Sequence, residues 1–144
     1  MMERDVMRRD MMMRAIVFGV LVVAYTTPAV AQNCELAGGQ KLESARYQLA
    51  FKTTPERVLI GRHFTMEVMV CPKAGQAAPE GLRVDGFMPD HNHGMNYKAV
   101  VKPAGSGRYE AAGMMFHMPG KWDYIFEVRG AGKSDRLTHS VVLQ

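Results

Sequence analysis

Two imidazoles and two thioethers fall within eight residues, Met88-Pro89-Asp90-His91-Asn92-His93-Gly94-Met95. Imidazole nitrogen and thioether sulfur make a borderline-to-soft donor set, which suits copper better than magnesium or calcium. Pro89 removes a backbone donor, and Asp90, Asn92 and Gly94 favour turns, so the stretch is expected to be neither helix nor strand. His91 and His93 sit two apart, and in an extended chain their rings project to the same side. The plain alternative is that both rings are solvated while Met88 and Met95 plug the end of the fold. Asp90 is a turn former that could also orient a ring. A second stretch, His117-Met118-Pro119-Gly120, repeats the Met-Pro pair and adds one imidazole and one thioether. Neighbours in a regular strand face opposite ways, so His117 and Met118 reach one metal together only if the turn twists them. The expected ligands of a copper ion are therefore His91, His93 and Met95, with Met88, His117 and Met118 as further candidates. His63 heads a strand that starts near the same end and is a lesser ligand candidate, and His139 lies mid-strand as a partly exposed sheet residue.

On an exported domain such a loop suggests metal handling, and the first 31 residues read as a secretory leader. Arg8, Arg9 and Arg14 form a basic start, Ala15 to Tyr25 is an uncharged apolar run, and Ala29-Val30-Ala31 is a small-x-small cleavage pattern before Gln32. A run of about 11 residues is shorter than the roughly 20 that a spanning helix needs. The expectation is cleavage after Ala31, a periplasmic location and no stable membrane insertion; the alternative is a retained N-terminal anchor. Residues 32–144 then make one domain with one core. The leader takes four of 18 basic and three of 14 acidic residues, leaving 14 against 11. That balance is too mild to suggest nucleic acid, and no basic run alternates with aromatics. Cys34 and Cys71 are the only cysteines. An even pair in an oxidising compartment reads as one disulfide, with neither a CxxC nor a Cys/His cluster to suggest a thiolate site.

The elements that must position these groups are strands. After residue 45 short alternating runs recur, separated by Gly and Pro: 45–53, 63–71, 82–88, 96–102, 108–116, 121–129 and 137–143. The clearest has Trp122, Tyr124, Phe126 and Val128 on one face, and Phe64, Val68 and Val70 form a second inward set. About seven short strands with regular turns fit an all-β, immunoglobulin-like antiparallel β-sandwich. In such a fold successive connections alternate between the two ends. If residues 89–95 lie at the top, Pro103–Gly107 lies at the bottom, and the chain returns to place 117–120 at the top as well. The 72–81 connection falls at the bottom, where Cys71 and the segment with Cys34 can meet.

No serine sits in a nucleophile-elbow context, no carboxylate pair shares a loop, and Gly38-Gly39 is not a phosphate loop. An enzyme is not expected. The segment Met88–Met95 resembles the MPxHxHGM stretch of the YtkA-like domains, small exported bacterial domains loosely akin to FixH. Gly107-Arg108-Tyr109-Glu110 and Phe116-His117-Met118-Pro119-Gly120-Lys121-Trp122 resemble that family's G-x-Y and F-x-MPG-x-W patterns, in the same order over about residues 60–143. The resemblance implies an immunoglobulin-like sandwich and an association with copper-handling or oxidase-assembly proteins, and it supplies no catalytic residues. Three readings follow: a periplasmic copper carrier or buffer, a metal-free immunoglobulin-like interaction module of an envelope or oxidase-assembly complex, and a small redox enzyme using surface copper.

Overall fold

The computed structural model describes residues 33–144, so the expected leader lies outside the described residues. Among the described residues nine strands run in order: β1 (Gln40–Glu43), β2 (Tyr47–Thr54), β3 (His63–Pro72), β4 (Gly81–Met88), β5 (His93–Gly94), β6 (Val100–Gly105), β7 (Arg108–Met115), β8 (Gly120–Gly130) and β9 (Lys133–Leu143). They form two antiparallel sheets, one ordered β1-β2-β3-β7-β6 and the other β5-β4-β8-β9. The fold is the expected sandwich. Among the described residues no helix is long and apolar enough to cross a membrane.

The core forms because alternate residues of each strand are apolar, and in a pleated strand they share one face. Trp122, Tyr124, Phe126 and Val128 of β8 meet Phe64, Met66, Val68 and Val70 of β3 and Leu49 and Phe51 of β2. All seven residues expected inside are buried. β7 departs from simple alternation. Phe64 pairs with Met114 but Met66 pairs with Ala111, so one residue of β3 faces two of β7. Gly113 occupies the bulge at φ +79°, which a glycine adopts without steric cost. The extra residue switches parity, so Tyr109 and Ala111 point inward below the bulge and Met114 and Phe116 point inward above it.

Two further departures concern the edges. β1 and β5 carry no periodic signal in the sequence, because β1 is largely exposed and β5 has only two residues. The expected strand at 96–102 begins only at Val100, with residues 95–99 crossing between sheets.

Cys34 and Cys71 form the disulfide, with Cα atoms 5.8 Å apart. It packs with Leu36, Ala50 and Met69 in a small cluster separate from the main core. The turn between β1 and β2 is tied to β8 and β9 by hydrogen bonds: Arg46 Nε donates to Asp135 Oδ1 at 2.7 Å, Arg46 Nη1 to the Gly130 carbonyl at 2.6 Å, and the Ser44 hydroxyl to Asp135 Oδ2 at 2.6 Å. Ser44, and then Arg46, hold the Asp135 carboxyl below the usual carboxylate range. A lowered folded-state pKa stabilises the fold above the ordinary carboxylate value of about 4, and this contribution is lost as pH falls through the lowered value. Asp135→Asn is expected to cost about 2 kcal/mol at neutral pH. Its denaturation midpoint should draw closer to that of the parent as pH falls below the ordinary carboxylate value, as read from a series of denaturant titrations from pH 7 downward. Joining residues 37 apart, the disulfide should contribute about 3–4 kcal/mol, measurable as the loss in a Cys34→Ser/Cys71→Ser variant.

Candidate metal site

The two histidine-bearing stretches meet at one end of the sandwich, as the strand count requires. β4 ends at Met88, and a single 3-10 turn, Pro89–His91, follows with proline at its start. The turn exits through Asn92 at φ 53°, a left-handed conformation that asparagine tolerates. That reversal lets His93 pair with Met88 and Gly94 with Phe87 as β5. The loop is thus a 3-10 turn and a two-residue strand, not the irregular segment expected, because Asn92 returns the chain to the β4 edge. On the other side β7 ends at Met115, and residues 116–119 cross to β8.

Three imidazoles gather there. The ring centres of His91 and His93 are 5.9 Å apart, and those of His93 and His117 are 5.1 Å apart at an interplanar angle of 29°. With metal–nitrogen bonds of about 2 Å, two rings on one metal hold their centres roughly 5–6 Å apart. Both spacings fit. Among the described residues no group of three His, Cys, Asp or Glu side chains is already arranged to hold a metal. The arrangement is a pair of close imidazoles with a third beside it.

Hydrogen bonding identifies the free nitrogen of His93. Its Nδ1 lies 2.9 Å from the Gly94 carbonyl, which can only accept, so Nδ1 carries the proton of the neutral ring and Nε2 keeps its lone pair. His117 differs. Its Nδ1 is buried and has no hydrogen-bond partner. Beneath both rings lies Trp122, fully buried, with ring-centre distances of 5.8 Å to His93 and 5.4 Å to His117 at angles of 70° and 77°. Phe116 stacks on Trp122 at 4.4 Å and 15°, and the indole Nε1 donates to the Met118 carbonyl at 3.0 Å. The sequence marked Trp122 only as core. Its contact with the imidazoles joins β8, the β4–β5 connection and the β7–β8 crossing, and no spacing along the chain signals it.

The thioethers divide by burial. Met88 is 1% exposed and belongs to the core, where a Cβ added to Gly120 would sit 2.5 Å from its Cε. Met95 and Met118 are half-buried and pack against the core rim. Met95 lies over Gly86, its backbone N–H donating to the Gly86 carbonyl at 3.2 Å. Asp90 and His91 are exposed. His63 is not among the grouped rings and instead meets Tyr97, with ring centres 5.1 Å apart. His139 is partly exposed in β9 and packs edge-on against Phe51 at 5.2 Å.

Comparison with known proteins adds the architecture. No protein-family model and no curated relative matches the sequence. Among solved structures, a DUF4426 family protein from Pseudomonas aeruginosa matches with a TM-score of 0.52 and 8% identity, over 76% of this chain and 97% of that one. The likeness is one of fold. The chemistry must be read from this chain's own residues.

Gly86 shows how tightly the site rests on the core. A Cβ there would lie 2.5 Å from Phe116 Cε1 and 2.9 Å from Met95 Cγ. Gly86→Ala should therefore overpack the end of the sandwich and cost about 1–3 kcal/mol. The expected signature is a lower denaturant midpoint with an unchanged slope.

Proposed function

We propose that this domain binds a copper ion at its histidine-rich end and acts as a periplasmic carrier or buffer that hands the ion to a copper-handling or oxidase-assembly partner. The observation that carries the reading is the approach of His93 and His117, 24 positions apart in sequence, to 5.1 Å between ring centres. That spacing suits a shared metal. The donor set points to the ion. Two imidazoles with His91 beside them and the half-buried Met95 and Met118 at the rim offer few, soft ligands, which favours Cu(I) over Zn(II) and Cu(II). The resemblance of the three sequence motifs to the YtkA-like domains supports the same reading. In the carrier role the ion is cargo, and the protein's residues hold it without performing chemistry on it.

Titration of the metal-free protein with Cu(I) against a competing chelator is the test. His91→Ala/His93→Ala should lose more than the roughly 10- to 100-fold typical of residues that merely orient a ligand, with its thermal unfolding unchanged. Unaltered affinity in that folded double variant would remove the site and leave the metal-free interaction module as the better account. Met95→Leu should weaken Cu(I) binding more than Cu(II) binding, because only the soft ion gains from the thioether.

A further inference from the structure

His93 and His117 solve the same problem in different ways. A histidine that ligates a metal through one nitrogen carries its proton on the other, and that N–H needs an acceptor to fix the tautomer and the ring orientation. For His93 the acceptor is the Gly94 carbonyl, 2.9 Å from Nδ1. For His117 the corresponding Nδ1 is buried and has no oxygen, nitrogen or sulfur partner. An unpaired buried polar atom is costly, and a native structure holds few of them. What His117 does have is an indole, with ring centres 5.4 Å apart and the planes at 77°. Such edge arrangements are the geometry in which an N–H meets an aromatic face.

We infer that Trp122 is a positioning residue whose π face accepts the Nδ1–H of His117 and so directs Nε2 of that ring outward, toward the metal. The indole is well held for this task. It is fully buried, stacked on Phe116 at 4.4 Å, and anchored by its own N–H to the Met118 carbonyl at 3.0 Å. One face is occupied by Phe116, so the imidazoles meet what remains of the ring. Both His93 and His117 then present Nε2, each with its proton parked on Nδ1. The role toward copper rests on the function proposed above, whereas the tautomer does not.

The experiment is nitrogen-15 NMR of the histidine side chains in the metal-free protein, paired with Cu(I) titration of Trp122 variants. Expected is the Nδ1–H tautomer for His117, its proton shifted upfield by the indole ring current. Trp122→Phe, which keeps an aromatic face, should retain that tautomer and lose less than about tenfold in Cu(I) affinity. Trp122→Leu should lose the tautomer preference and fall about 10- to 100-fold. A predominant Nε2–H tautomer in the parent would overturn the inference even where copper binds. So would a folded Trp122→Leu protein with parental affinity. If the leucine variant fails to fold, the parent spectrum and Trp122→Phe still decide. No Cu(I) binding by a parent that shows the Nδ1–H tautomer would overturn the copper function and, with it, Trp122's role toward the metal.

Discussion

The stacking of Trp122 on Phe116 is the contact on which this end of the molecule depends. Phe116 directly follows β7 in one sheet and Trp122 lies in β8 of the other, so the 4.4 Å stack closes the core between the sheets at the end where the chain crosses. Aromatic pairs of this size bury large areas and add about 0.5–1.5 kcal/mol beyond burial. More to the point, the pair fixes the backbone on both sides of His117. Phe116 turns inward, the next residue is left at the rim, and the indole N–H pins the Met118 carbonyl. His117 is held where it is because its neighbours are held by the core.

That placement depends in turn on one glycine. Without the bulge at Gly113, the inward set of β7 would continue as residues 113, 115 and 117, and a one-residue slip would exchange the two faces. Met114 and Phe116 would then face solvent and His117 would enter the core. The opposite stretch relies on an equivalent local device, the left-handed Asn92 that returns His93 to the β4 edge. A bulge glycine in β7 and a left-handed asparagine after β4 thus bring the two imidazoles together.

Much of this was legible in the sequence. The alternation in β8 and β3 announced the inward residues, the even cysteine pair announced the disulfide, and counting strands put the two His/Met stretches at the same end. Counting succeeds here because β5 has only two residues and does not carry the chain to the other end; one miscounted full strand would reverse the result. It fails on detail for physical reasons. β1 has no apolar face to read, β5 is too short to carry a period, and the Gly113 bulge breaks alternation within a strand. The split of the methionines was also hidden, since Met88 packs on Gly120 of β8, far along the chain, and a thioether reads alike as plug or ligand. The indole beneath the imidazoles is a contact among three segments, and no one-dimensional pattern encodes it.

The most direct test of the central claim, that copper is held by the imidazoles at this end, is X-ray absorption of the Cu(I)-loaded protein. The account expects nitrogen scatterers at about 2 Å with the outer-shell scattering of at least two imidazole rings, reduced on His93→Ala or His117→Ala. A copper spectrum lacking imidazole scattering, or one indifferent to both substitutions, would contradict it.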